Sequence, residues 1–287
     1  MPHVATVPRA RPGAEAHGSV SAVGNLQLHV VTYNIHKGFS QFHKHMMVHE
    51  LRDQLRELGS DIVLLQEVQG MHERNAKKFD NWPEEPQYAF LGEDFWGSTA
   101  YGSNVAYGHG HHGNAILARF PMEHAHNQDV TQMRFERRGL LHCAISVPGF
   151  PQAVHCVCTN LSLFARSRRR QLDALAGHLE DTVDRRLPLI IASDFNDWRN
   201  EAELLLAKRL GLIEGFGGAW DDLESPGRSF PSKLPMLRLD RIYVRGFSVQ
   251  RAEIFFGAPW SRISDHAALA AHLLLDKPED GPGVPDR

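Results

Sequence analysis

The apolar run Pro188-Leu189-Ile190-Ile191-Ala192 stops abruptly in Ser193-Asp194-Phe195-Asn196-Asp197-Trp198. Side chains at i and i+2 of a strand share a face, so Asp194 and Asn196 would project together just beyond a buried strand. The same pair also suits an Asx turn, in which Asp and Asn bond their own backbone. Other strand-like runs end in the same way. Val30-Val31-Thr32-Tyr33 ends in Asn34, Ile62 to Gln66 ends in Glu67, and Ile263-Ser264 leads into Asp265-His266. Several buried strands that deliver Asn, Glu, Asp and His to their ends imply packed sheets whose strand ends share one polar pocket.

Composition limits what such a scaffold can be. With 287 residues, 42% of them hydrophobic and 23% charged, the chain can bury a sizeable core of ordinary globular type. A formal net charge of −3 argues against wholesale electrostatic binding to nucleic acid and leaves room for a local basic patch. Cys143, Cys156 and Cys158 are odd in number and sit in apolar segments, so buried thiols in a reducing, cytoplasmic compartment are expected rather than a disulfide framework. No run approaches the roughly 18 apolar residues that cross a bilayer, so no transmembrane segment is expected, and the chain is taken to be monomeric.

Residues 1–25 and 276–287 are rich in Pro, Gly and small or polar residues and read as disordered tails around one domain of residues 26–275. Within it, Leu26 to Tyr33 alternates as a strand does, and Met47, Leu51, Leu55 and Leu58 mark one face of a helix ending at Gly59. Further strands are expected at Ile62 to Leu65, Ala115 to Phe120, Leu140 to Val147, Val154 to Thr159, Leu239 to Val244, Val249 to Phe256 and His266 to Leu275. Helices are expected at Arg166 to Asp184 and Glu201 to Leu210. From Met71 to Gly113 a long irregular stretch is expected, carrying Trp82, Tyr88, Phe90, Phe95, Trp96, Tyr101 and Tyr107. Those aromatics could stack on a base or sugar, or pin the loop to its own domain. Strands outnumber helices and many are joined by short turns, which favours α+β with two packed sheets. Gly108-His109-Gly110-His111-His112-Gly113 lacks the Lys and Ser/Thr of a P-loop, and its histidine spacing is poor for zinc.

The ordered set Thr32-Tyr33-Asn34-Ile35-His36, Leu65-Gln66-Glu67-Val68, Gly113-Asn114-Ala115-Ile116-Leu117, Ser193-Asp194-Phe195-Asn196, Leu239-Asp240-Arg241-Ile242-Tyr243 and Ser264-Asp265-His266 resembles the endonuclease/exonuclease/phosphatase superfamily. The nearest resemblance is to uncharacterised single-domain proteobacterial members. It implies a DNase I-like, four-layer α/β/β/α sandwich and divalent-metal-dependent hydrolysis of a phosphate ester. Mg²⁺, or Mn²⁺ in its place, would be held by Glu67 and Asp265 with Asn34 close by, as suits a hard cation that prefers oxygen. Asp194 and Asn196 would orient the attacking water and the phosphorane oxygens. His266 would face the scissile phosphate with its other ring nitrogen on Asp240.

One position departs from the pattern. Many members carry a His-Leu pair where this chain has Asn160-Leu161, and an amide cannot deliver a proton near neutral pH. General acid catalysis is typically worth about 10²- to 10⁴-fold, so the departure leaves slow turnover, reliance on the metal, or a catalytically degenerate phosphate- or partner-binding protein as alternatives. His112 is a possible substitute. Asn114, Arg168 and Arg169 are candidate substrate-binding residues, the arginines as part of a cluster at a helix start. The substrate is left open between nucleic acid, which would make the chain a nuclease, and a lipid headgroup or small phosphodiester, which resemblance to lipid-anchor-associated members also allows.

Overall fold

The computed structural model describes residues 26–41, 45–217 and 227–276, so the expected tails, apart from Asp276, lie outside the described residues. Two units of the same kind organise the molecule. Strand β1 (Gln27–Asn34) crosses through helix α1 (Val48–Leu58) to the parallel strand β2 (Ile62–His72). Strand β7 (Val154–Thr159) likewise crosses through helix α4 (Ala165–Thr182) to the parallel strand β8 (Leu189–Asp194). Parallel neighbours cannot be joined by a tight turn, which is why a helix intervenes each time. Leu51 and Leu55 of α1 face inward, and the helix stops at Gly59, whose φ of 63° suits a residue without Cβ.

The other strands pair antiparallel: β3 (Ser98–Tyr107), β4 (Gly110–Ala118), β5 (Met122–Asp129), β6 (Gly139–Ile145), β9 (Ile213–Glu214), β10 (Asp240–Arg245), β11 (Phe247–Phe255) and β12 (Ala268–Leu275). One sheet has the order β11-β12-β1-β2-β4-β3 and the other β5-β6-β7-β8-β10-β9. Their inner faces meet in a core that includes Leu64, Ile116, Cys143, Ile190, Ile242 and Leu269. The outer face of the first sheet packs on α1, α3 (Gln87–Gly92) and α6 (Trp260–Ile263), and that of the second on α4 and α5 (Glu201–Leu210). The result is the four-layer DNase I-like sandwich, in which strand alternation fills two different cores from each central strand. Leu28 and Val30 of β1 enter the inter-sheet core while Val31 and Tyr33 enter the helix-facing one.

The stretch from Met71 to Gly113 is not irregular. It contains the end of β2, helix α2 (Glu73–Lys78), α3, all of β3 and the start of β4. β3 and β5 are both edge strands. Their sequences, STAYGSNVAY and MEHAHNQD, are polar because an edge strand need not bury both faces. No helix among the described residues is long and apolar enough to cross a membrane, and the three cysteines are free and buried.

Close approach of backbones fixes the β3–β4 pair beside Asn114. A Cβ at Gly113 would stand 1.8 Å from the Gly102 carbonyl oxygen, whereas one at Gly177 of α4 would meet nothing within 4 Å. Gly113→Ala is therefore expected to destabilise the fold by about 1–3 kcal/mol. Gly177→Ala should be neutral or stabilise by up to about 1 kcal/mol. Urea unfolding of both variants checks this, and equal midpoints would contradict the packing argument.

Candidate active site

The carboxyl ends of the parallel strands lie at one edge of the sandwich, and the strands antiparallel to them begin there. Asn34 ends β1, Asp194 ends β8 and Asn160 follows β7, while Asp240 begins β10 and Asp265-His266 precede β12. Asp194 and Asp240 are register partners on adjacent strands, and Asn160 bridges to Asp194 in parallel. Glu67 reaches the same edge by a bulge. The β2–β4 register shifts between Leu65 and Val68, and Glu67 takes a φ of 57°. Val63, Leu65 and Val68 all face the α1 side, so the extra residue releases Glu67 from a face it would otherwise share with Leu65.

Asp194, Asp240 and His266 are buried together, with one ligand-type atom from each lying within 4.8 Å of the others. His266 Nδ1 is 2.7 Å from Asp240 Oδ2, and its Nε2 is 3.9 Å from Asp194 Oδ2. Burial alone would lower the His266 pKa, but Asp240 and then Asp194 outweigh it and push the imidazole up to about 10. Asp194 moves the other way from a usual carboxylate. Burial, reinforced by the charge of Asp240, pushes it up to about 7. Asn34 Nδ2 donates to Asp194 Oδ2 at 3.0 Å, and the Asn196 backbone N–H donates to Oδ1 at 3.0 Å. The imidazolium, hydrogen-bonded to Asp240 and 3.9 Å from Asp194, already neutralises this trio, which leaves the more open carboxylates beside it for a cation.

Those carboxylates are Glu67 and Asp265. Burial pushes the Glu67 carboxyl up, but Lys37, His266 and His36 together bring it down to about 2. Lys37 Nζ lies 3.2 Å from Glu67 Oε2. Burial likewise opposes ionisation of Asp265, and the hydrogen bond from His36 with the charge of His266 still lowers its pKa. His36 Nδ1 is 3.1 Å from Asp265 Oδ1, and the His36 backbone N–H donates to Asn34 Oδ1 at 3.1 Å. Two half-buried carboxylates whose neighbours favour the ionised form, and the Asn34 amide oxygen, are oxygen donors of the kind a hard divalent cation prefers.

Not every expected residue meets the pocket. Arg168 is fully buried, with its Nη1 donating to the carbonyls of Ser162 and Leu163, its Nε 3.8 Å from Asp197 Oδ1, and its guanidinium 5.1 Å from the centre of the Trp198 ring. It clamps two loops and is closed to a substrate. Asn114 is buried and its amide donates to the carbonyls of Gly139 and Cys158, so it ties the two sheets instead of offering its donors to phosphate. Asn196 spends its side-chain donor on Leu161 O at 2.9 Å and Asn160 Oδ1 at 3.4 Å, which makes it a positioning residue for Asp194 and Asn160. Arg169 is exposed on the outer side of α4. His112 lines the pocket, but burial and then Lys37 lower its pKa to about 4, so it is no proton donor near neutrality. Lys37, His36 and Ser264, whose Oγ donates to Asn34 O at 2.7 Å, are site residues that strand-end reasoning passed over. The signal was their place directly beside Asn34 and Asp265 in the chain.

The chain belongs to the Endonuclease/Exonuclease/phosphatase family, which matches residues 31–266. Members are in general metal-dependent hydrolases acting on phosphate esters. Over 246 residues the chain is 43% identical to "Uncharacterized protein YbhP" of Escherichia coli K12, covering 86% of this chain and 96% of the relative. Solved structures agree on the fold. The endonuclease/exonuclease/phosphatase of Beutenbergia cavernae superposes with a TM-score of 0.70 at 21% identity, over 87% of this chain and 72% of its own. TDP2 of D. rerio, solved with a single-strand DNA product, gives 0.62 at 15% identity over 86% and 98%.

The raised pKa of His266 makes stability depend on pH. Its folded value of about 10 exceeds the ordinary 6.5, so the contribution is full below the ordinary value and is lost as pH rises through about 10. In chelator, the stability gap between the wild type and His266→Gln should therefore shrink between about pH 7 and about pH 11. Urea unfolding across that range measures it, and a constant gap would remove the buried imidazolium.

Proposed function

We propose that this chain is a divalent-metal-dependent phosphodiesterase that uses water as nucleophile. The observation that carries the reading is Asp194, a buried carboxylate raised to about 7, facing the His266–Asp240 pair beside the ionised Glu67. Glu67, Asp265 and Asn34 Oδ1 would hold the cation, which when bound neutralises charge developing on the phosphoryl oxygens. Asp194 takes a proton from the attacking water, since a base works best with a pKa near the operating pH. His266, kept protonated by Asp240, presents Nε2–H and positive charge to the phosphate. A hydrolysis screen with Mg²⁺ or Mn²⁺, run beside Glu67→Ala and Asp194→Asn, should show activity only in the unmutated protein, with a loss of at least about 10²-fold in each variant. Full activity in excess chelator would refute the metal role.

Substrate is read from the surroundings. A pocket of about 340 Å³ lined by Lys37, Gln69, Tyr107, His112, Phe39 and Phe79 adjoins Glu67 through the Lys37 contact. On the other side, the loops after β5 and β8 and the first turns of α4 expose Arg134, Arg137, Arg166, Arg169 and Arg199 among Phe135, Phe164 and Trp198. These segments are contiguous, because the Leu163 N–H donates to Glu136 Oε1 at 3.4 Å, Phe135 meets Phe164 at 6.3 Å between ring centres, and the Arg168 guanidinium of α4 lies 5.1 Å from the Trp198 ring centre. Guanidinium groups interleaved with aromatic rings suit a single-stranded nucleic acid, whose phosphates and bases need those two partners. A second reading, a lipid headgroup, is favoured by the exposed Leu163, Leu234 and Met236. Single-stranded DNA and RNA, phospholipid vesicles and small diesters in one screen separate the two.

Asn160 makes a further outcome testable. It is buried next to Asp194 and Asn196 where a proton donor commonly stands in the family. Asn160→His is expected to raise turnover on substrates with poor leaving groups by about 10-fold or more, and to change little with an activated aryl group that departs without a proton. Steady-state kcat on the two ester classes checks it. Equal rates for parent and variant on both classes would mean that no acid is missing.

A further inference from the structure

Leu234, Met236, Leu237 and Phe256 are 69%, 62%, 41% and 51% exposed, and they belong to two segments next to His266. Residues 228–239 fold back on themselves ahead of β10, with Phe230 and Leu237 bridged and the Leu237 N–H donating to Phe230 O at 2.8 Å. Residues 256–264 join β11 to β12 through α6. The two segments are knitted into one rim, because the Gly257 N–H donates to Ser232 O at 3.0 Å and the Ser232 N–H to Asp265 O at 2.7 Å. Phe230 lies 5.1 Å from His266 between ring centres, so the rim adjoins the site. Its charge is one-sided. Arg228, Lys233 and Arg262 are exposed, and Arg238 turns inward to Glu214 Oε2 at 2.7 Å. Neither segment contains an Asp or Glu, although the chain as a whole carries a net charge of −3.

We propose that this rim docks the protein peripherally on a lipid bilayer that carries anionic headgroups. Leu234, Met236, Leu237 and Phe256 enter the interfacial layer, and Arg228, Lys233 and Arg262 meet the headgroup phosphates. Large apolar side chains gathered at one exposed place mark an interaction surface, because water disfavours each of them. Chemistry decides among the occupants. Single-stranded nucleic acid calls for rings on which bases stack, and three of the four side chains are aliphatic. A second copy of the chain meeting this rim across a two-fold axis would set the same three cations against one another. An anionic bilayer offers apolar depth directly beneath a layer of negative charge, and the long stems of Lys and Arg span the two. The rim is held before it docks, since Ser232 Oγ donates to Ser264 O at 2.6 Å and the Ala267 N–H to Ser229 O at 2.7 Å, so little order has to be gained on binding. The contact is with the surface alone, as no helix among the described residues is long and apolar enough to cross a membrane. It concerns where the site is held and does not depend on which ester is hydrolysed.

Co-sedimentation of the full-length protein with vesicles, in chelator so that binding is read apart from any metal-dependent hydrolysis, tests the surface. Vesicles of phosphatidylglycerol and phosphatidylcholine should bind the protein about 10-fold or more tightly than phosphatidylcholine alone, and added salt should narrow that difference. Leu234→Asp and Met236→Asp should each lower the partition coefficient by about 10-fold or more. Lys233→Glu should lower it on the anionic vesicles and change little on the neutral ones. Leu204→Asp, at a residue 76% exposed on α5 and outside the rim, should bind as the parent does. All four positions are exposed, so unchanged urea midpoints should accompany these results. No binding of the parent protein to anionic vesicles, or equal binding by the parent, Leu234→Asp and Met236→Asp, would overturn the proposal. Loss of single-stranded DNA binding in the rim variants with vesicle binding unchanged would also overturn it and assign the rim to nucleic acid.

Discussion

Asp194 and Asp240 sit directly across from each other on β8 and β10, both out of water, and that is the interaction on which the rest of the site depends. Like charges at a cross-strand position repel, and burial removes the solvent that would screen them. The structure answers with a cation between them. His266 bonds Asp240 and faces Asp194, while Asn34 and the Asn196 backbone donate to the Asp194 oxygens. The Ser229 hydroxyl accepts the Asp240 backbone N–H at 3.1 Å, and the Ser264 hydroxyl accepts that of His266 at 3.3 Å, so the backbone beneath the trio is also held. Removing the imidazole leaves two buried carboxylates without their counter-charge.

Topology explains how residues so distant in the chain reach one place. A parallel pair has both carboxyl ends at the same edge, and an antiparallel neighbour starts where its partner finishes. β1, β7 and β8 therefore bring Asn34, Asn160 and Asp194 by their ends, and β10 and β12 bring Asp240 and His266 by their beginnings. Clefts outside the carboxyl ends of strands are a recurrent place for ligands in open sheets for this reason. Glu67 is the exception, because β2 continues to His72 and a bulge has to turn the carboxylate out of the strand's own pattern.

Central strands and the residues at their ends were legible because each must bury both faces and then change abruptly to polar. Edge strands β3 and β5 were not, since half of their surface is open to water and their composition is that of a loop. Among the site residues, type was legible but direction was not. Arg168 reads from its neighbours as one of four basic residues at a helix start, yet the helix turns it inward to Ser162, Leu163 and Asp197 while Arg166, Arg169 and Arg170 stay outside. Asn114 and Asn196 were similarly placed by position and then committed by geometry to backbone carbonyls. Lys37 went unnoticed because its approach to Glu67 depends on a left-handed backbone, with φ of 60°, that no periodicity announces.

The histidines show why residue type alone assigns no chemistry. His266 and His112 are neighbours of the same acidic pocket, but two aspartates hold the first protonated up to about 10 while burial and Lys37 strip the second to about 4. Neither exchanges a proton readily at neutral pH. Among the site's carboxylates, Glu67 is ionised far below that range, and Asp194 is raised to about 7 by its burial and by Asp240. Under the proposed function, Asp194 is therefore the group that would take a proton from the attacking water. On the same proposal, with Asn160 where an acid commonly stands in the family, the leaving oxygen would be stabilised by the cation, by His266 as a fixed positive charge, or by solvent. A site built in this way would discriminate among leaving groups, and that selectivity would follow from the placement of two aspartates around one imidazole.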